Sequence, residues 1–207
     1  MTYSQLGQDL EVLKAYPKDY VGFFVDIGAY DGKDLSNTLL LEEKGWLGIC
    51  AEPLPSAFAK LKECRKSCFL TNKAVWHTTG ETFEFADCEM LSGITGYSTY
   101  KTEQDASNKI KVETISINDL LIQADAPEFM DYLSIDTEGT EYEILNALDH
   151  SKWAFGLIDV EHNYDEPKRT QIRTLLESKG YVFLRENRWD DCYIHKSLVP
   201  TTEKKSQ

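Results

Sequence analysis

The feature that most limits the fold is an alternation, repeated along the chain, of short β-rich apolar runs with segments of helical period. That pattern builds an α/β domain around a mainly parallel sheet. Strands are expected at 21–26 (VGFFVD), 46–52 (WLGICAE), 131–136 (DYLSID) and 156–161 (GLIDVE), with further ones near 69–75, 81–86 and 110–115. Helices are expected at 5–16, 35–44, 55–66, 117–124, 140–148 and 167–178. The last piece, YVFLRENRWDDCYIHK, has two strand-like runs joined by a polar turn and reads as an antiparallel hairpin at the sheet edge. Only residues 87–109 break the rhythm; a polar, Gly- and Ser-bearing interval of this length inside a domain is expected to be an acceptor-binding lid or a loose surface loop. The 207 residues suit one domain, 1–207, with a disordered tail from about 199.

Charge narrows the partners. A formal net charge of −13 opposes polyanions, since phosphate contacts need clustered Lys and Arg, so nucleic acid and anionic membranes are not expected as partners. A neutral or cationic small ligand suits the chain better. No run reaches the roughly 18 apolar residues of a membrane span, and the N-terminus lacks the basic and apolar regions of a secretory signal, so a cytoplasmic location is expected. The five cysteines form no C-x-x-C pair and read as reduced thiols.

The run VDIGAYDG at 25–32 follows the first strand and precedes a helix, the place where open α/β sheets bind nucleotides. Its glycines are not those of a dinucleotide fingerprint: Gly28 and Gly32 are present, but Ala29-Tyr30-Asp31 replaces the middle glycine that lets backbone approach a pyrophosphate. Asp26 and Asp31 would repel a phosphate. The turn therefore suits a phosphate-free nucleoside with a positive charge, and S-adenosylmethionine has both properties. Glu52 ends the second strand about twenty residues further on, where a carboxylate can accept hydrogen bonds from both ribose hydroxyls. A plain tight turn, with Asp31 and Asp34 capping the next helix, is the competing reading.

With these motifs on hand the chain resembles the FkbM-type family of class I S-adenosylmethionine-dependent methyltransferases. The resemblance spans SQLGQD at 4–9, FVDIGAYDGKDLSNTLLLEEKGWLGICAEPLPSAFAKL at 24–61, NKAV at 72–75, VETISINDLL at 112–121 and DYLSIDTEGTEYEILNAL at 131–148. It implies a Rossmann-like, doubly wound, seven-stranded sheet, mostly parallel with an antiparallel C-terminal hairpin. It also implies O-methylation of a hydroxyl on a sugar, a glycan or a small natural product. By position Asp26, Gly28 and Gly32 would line the methionine end, Glu52 the ribose, and Lys73 and Ala74 the adenine edge, with Ala29, Asp31, Pro53 and Asp136 also expected at the cofactor. Glycosyltransferases, fused or separate, are compatible partners. A non-catalytic cofactor-binding module is the alternative from another class.

The stretch LSIDTEGTEYEI at 133–144 crowds Asp136, Glu138, Glu141 and Glu143 behind a buried strand. T-E-Y-E at 140–143 reads as a capping box in which Thr140 and Glu143 satisfy each other's backbone donors, with Glu141 in the first turn. Asp136 and Glu138 are then left to emerge beside the cofactor. Glu161 and His162 end the next strand, so Asp136, Glu161 and His162 are candidate ligands for a divalent cation, Mg²⁺ or Mn²⁺. A hydrogen-bonded polar network is the equal alternative. Glu138, His162 and Asp136 are the candidate catalytic groups, with Glu138 or His162 as base. Trp189, Tyr97, Tyr100 and Tyr164 offer faces for a sugar ring.

Overall fold

The computed structural model describes residues 2–98 and 100–199. Along the chain the elements are α1 (Gln8–Ala15), β1 (Phe23–Ile27), α2 (Leu39–Glu43), β2 (Leu47–Ala51), α3 (Pro55–Cys64), β3 (Cys68–Thr71), β4 (Ala74–Trp76) and β5 (Thr82–Asp87). There follow β6 (Gly93–Ile94), α4 (Lys101–Ala106), β7 (Asn108–Ser116), α5 (Ile117–Gln123), β8 (Phe129–Ile135) and α6 (Glu141–Ala147). The chain closes with β9 (Ala154–Glu161), α7 (Glu166–Ser178), β10 (Tyr181–Asn187) and β11 (Asp190–His195). The tail expected to be disordered lies, beyond Val199, outside the described residues.

Seven strands form one sheet in the order β10-β11-β9-β8-β1-β2-β3. Only β11 runs against its neighbours, so the expected hairpin sits at the edge. Alternation along the central strands explains why helices cover both faces. Val25, Ile27, Leu133 and Ile135 meet Leu120, Leu121, Ile144, Leu145, Ile172 and Leu176 of α5–α7, while Phe24, Cys50 and Tyr132 meet Val12, Leu41 and Leu61 of α1–α3. This is a doubly wound sheet. Its order reverses between β1 and β8, the switch point where a crevice opens at the carboxyl ends of the strands.

Two expectations need correction. The run 69–75 is not one strand: β3 ends at Thr71 in the large sheet, and Ala74 begins β4 in a second sheet of order β4-β7-β5-β6. The interval 87–109 is not an irregular loop either, for it holds a 3-10 turn at Glu89–Leu91, β6 and α4. Both outcomes have the same cause. Trp76, Phe85, Ile94 and Val112 bury a small core of their own together with Leu54 and Ala57 of the α3 region, and this subdomain stands at the mouth of the crevice.

Candidate active site

A cavity of about 370 Å³ lies at the switch point, walled by the carboxyl ends of β1, β2, β8 and β9, by the small sheet and by the hairpin turn. The turn after β1 is dictated by Gly28. Its φ is +90°, and a Cβ there would stand 1.7 Å from the Asp136 carbonyl oxygen, so β1 and β8 can close on each other only through glycine. The backbone N–H groups of Gly28 and Ala29 both donate to the Ala51 carbonyl, tying the turn to β2. Asp26, Gly28 and Ala29 line the cavity.

Asp26 is buried and accepts a hydrogen bond from the Thr38 hydroxyl. Burial pushes its pKa up, against the pull of the Arg65 charge and of that hydrogen bond. Glu52 is held by two backbone donors, Tyr30 N at 2.9 Å and Leu54 N at 2.7 Å, and burial raises it to about 7. Pro53, Lys73 and Ala74 also line the cavity, although the Lys73 ammonium is drawn to Glu113 at 2.7 Å. Asp31 and Gly32 do not reach it. The Asp31 carboxylate accepts from the N–H groups of Lys33 and Asp34 within its own turn, and Gly32 packs against Leu61 and Arg65.

Beyond β8 the chain makes a strained reversal, with Glu138 at φ +59° and Gly139 at +120°. Glu141, not Glu143, holds this loop. One oxygen of Glu141 accepts from Thr137 N at 2.8 Å, the Thr137 hydroxyl at 2.8 Å and Gly139 N at 3.0 Å. The expected capping box is absent: the Thr140 side chain caps no backbone N–H and donates instead to Thr137, while Oε2 of Glu143 is buried without a partner. Glu141 takes the loop's free donors, at Thr137 and Gly139, in place of a reach-back from 143. Replacing Glu141 by Ala should therefore cost about 1–3 kcal/mol, the penalty for stranding buried donors, and Glu143→Gln should cost far less. Denaturant titration of both variants checks this.

The reversal turns Glu138 back beside Asp136, and Glu161 reaches them from the end of β9. Oxygens of Asp136, Glu138 and Glu161 all lie within 4.8 Å of one another. Asn163 donates across the group, to Glu161 at 2.6 Å and to Glu138 at 3.2 Å, and Glu161 hydrogen-bonds Asp136. Asp136 is exposed to the open cavity, and desolvation by the protein crowded around it raises it to about 6. Burial and then the Asp136 and Glu141 charges push Glu138 up to about 9, and burial with Asp136 pushes Glu161 well above its usual range. The cluster therefore retains protons at neutral pH. A hard divalent cation fits the same all-oxygen donor set.

His162 is not part of this group. Along β9, Ile158 and Val160 pack toward α5–α7 and Leu157 toward α1–α3, so His162 follows Val160 away from the cavity while Glu161 turns into it. The imidazole Nδ1 accepts from Tyr164 N, and Nε2 lies 3.6 Å from Asp191, which Arg169 and Arg173 already hold. Of the four aromatics expected to stack on a sugar, Tyr100 and Trp189 line the cavity. Tyr97 instead packs edge-on against Trp76, and Tyr164 stands exposed beside His162.

Sequence reasoning passed over Asn163, Asp190 and Gln8. Asp190, in the hairpin, is buried and raised to about 7, and accepts a 2.6 Å hydrogen bond from Gln8 in the N-terminal SQLGQD run. The only signal was Gln8's place in a motif with no assigned task.

The sheet order, the switch-point crevice and the glycine turn define the Rossmann-like fold of class I methyltransferases. A family model described as "Methyltransferase FkbM domain" matches residues 26–183. The chain belongs to this family and is an S-adenosylmethionine-dependent methyltransferase. No curated protein matches it. Among solved structures it is similar to the precorrin-6y C5,15-methyltransferase of Geobacter metallireducens, with TM-score 0.47, 14% identity, and 90% of this chain and 85% of that one covered. It is also similar to the N-terminal domain of human METTL16 in complex with SAH, with TM-score 0.45, 13% identity and coverage of 91% and 66%. A third is M. jannaschii TYW2 in complex with AdoMet, with TM-score 0.39, 14% identity and coverage of 94% and 78%. No helix among the described residues is long and apolar enough to cross a membrane.

Proposed function

We propose that the protein is an O-methyltransferase that acts on a hydroxyl of a sugar or glycan. The observation that carries this reading is the Asp136, Glu138 and Glu161 cluster, which stands beside the glycine turn at the open face of the cavity. The cofactor supplies an electrophilic methyl group on a sulfonium. In the transfer the acceptor oxygen forms its bond to that carbon as the carbon–sulfur bond breaks, and the hydroxyl proton must leave.

Of the three carboxyls, Asp136 is raised least and is the proton acceptor of this reading, while the protonated Glu161 carboxyl and the Glu138 backbone N–H donate to it and Glu138 keeps its own proton. This moves the base from Glu138 or His162 to Asp136. Asp136, Glu138 and Glu161 would also hold a divalent cation such as Mg²⁺ or Mn²⁺, which would acidify the hydroxyl. Tyr100 and Trp189 give a sugar ring two faces to stack on. Acidic side chains recur around the wall, and among its described residues the one basic group, Lys73, is paired with Glu113. Neutral or amino-bearing acceptors are therefore favoured over uronates, phosphates and nucleic acid. The apolar wall of Phe85, Met90, Leu91 and Ile94 keeps a small hydroxylated natural product as the second reading.

Two measurements test this. Calorimetry should register S-adenosylhomocysteine binding that Glu52→Ala weakens by roughly 1.5–3 kcal/mol, the worth of hydrogen bonds to a charged group. A radiolabelled-methyl screen should find turnover with neutral glycosides or amino sugars. Comparable turnover of oligonucleotides would overturn the sugar reading.

A further inference from the structure

Arg65 follows the last turn of α3 and is 2% exposed, an expensive place for a guanidinium unless it is paired and hydrogen-bonded. It does not touch the cavity. Its Nε makes a close ion pair with Glu42 at 2.6 Å without the alignment of a hydrogen bond, and Nη1 donates to the Gly32 carbonyl at 3.1 Å and to the Ser36 hydroxyl at 3.2 Å. Nη2 donates to the Thr38 hydroxyl. All four partners belong to residues 32–42, which leave the glycine turn and supply Asp34, Leu35, Ser36 and Asn37 to the cavity wall.

The direction of these bonds is forced. A guanidinium can only donate, so the Thr38 oxygen accepts from Arg65, and its single hydrogen is left for Asp26 Oδ2. Asp26 must then present an unprotonated oxygen to Thr38, and its other oxygen is free for a ligand in the cavity. Ser36, held by the same guanidinium, accepts from Thr38 N and Leu39 N and so sets the start of α2. Lysine cannot reproduce this fork, because its ammonium is a point charge on a flexible stem.

We propose that Arg65, acting through Thr38, is a positioning residue for the cofactor: it orients the Asp26 carboxylate and the 34–37 wall for binding. This rests on the cofactor lying beside Asp26. The test is calorimetry of S-adenosylhomocysteine on the folded protein, well below its melting temperature, for the wild type and for Asp26→Asn, Thr38→Val, Thr38→Ser and Arg65→Lys. Thr38→Val keeps the shape of the side chain and removes only the relay, and is expected to weaken binding about tenfold, the loss of one hydrogen bond to a charged group. Thr38→Ser should restore affinity to within about threefold, and Arg65→Lys should lose at least as much as Thr38→Val. A purely structural Arg65 would lower the melting temperature of these variants and leave the affinity of the folded molecules unchanged. Wild-type affinity in Thr38→Val therefore overturns the proposal even if Arg65→Lys fails to fold. Wild-type affinity in Asp26→Asn would instead overturn the placement of the cofactor, a separate failure.

Discussion

Asp136→Asn is expected to lower kcat by about 10²–10⁴-fold, the usual worth of a positioned general base. Affinity for S-adenosylhomocysteine should change far less. The asparagine keeps the shape of the side chain and the backbone bond from residue 136 to the Ile27 carbonyl, so the crevice stays closed on the turn. What it removes is the one carboxylate of the cluster that is ionised near pH 7.

Glu138→Gln supplies the contrast. Because Glu138 carries a proton at this pH, a neutral amide whose oxygen still accepts from Asn163 stands in for it, and kcat should fall by less than about tenfold. If instead the two variants lose activity equally, the proton goes to Glu138; full activity in Asp136→Asn would remove the cluster from the chemistry altogether. A held cation makes a further demand, since a chelator should then abolish turnover and Mg²⁺ or Mn²⁺ restore it. Full activity in chelator would leave a base-only mechanism.

The same Glu138→Gln variant should be more stable than the wild type, by on the order of 2–3 kcal/mol near pH 9, with no ligand or cation present. Glu138 has an ordinary pKa of 4.5 in the unfolded chain and about 9 in the folded protein. Below pH 4.5 it is protonated in both states and costs nothing. As the pH rises toward 9 the unfolded chain gives up this proton first, and folding stability falls throughout that window. Glutamine does not titrate, so the gap between variant and wild type should widen with pH. Melting curves between pH 5 and pH 9 would register it as a difference growing to roughly 5–10 °C in a chain of this size. A constant difference across the range would mean that Glu138 ionises freely. Stability given up here is consistent with a site that waits for positive charge, from the sulfonium or from a cation.

How much of this could be read without coordinates depends on whether a feature is local. Periodicity marked the central strands of the large sheet because Val25, Ile27, Leu133 and Ile135 alternate with residues that meet a second set of helices. Once the sheet is parallel, every strand ends on the same side, so Asp26, Glu52 and Asp136 had to converge. Gly28 marked a turn for the same local reason, its positive φ.

The remaining decisions were made by contacts between distant segments. Whether 69–75 is one strand or two depended on a second core gathered from Leu54 to Val112, which pulls Ala74 into another sheet. Glu141 replaced Glu143 as the loop's anchor because a reversal at Glu138 and Gly139 brought Thr137 within its reach. Gln8 and Asp190 joined the wall from opposite ends of the chain. His162 and Glu161 are neighbours in sequence, yet the pleat sends one to α7 and the other to the cavity. Sequence alone determined the central strands and helices of the large sheet and where its parallel strands end, since these follow from short-range pattern. Tertiary structure decided which carboxylates meet, because a side chain's direction and the distance between two loops are set by packing across the whole domain.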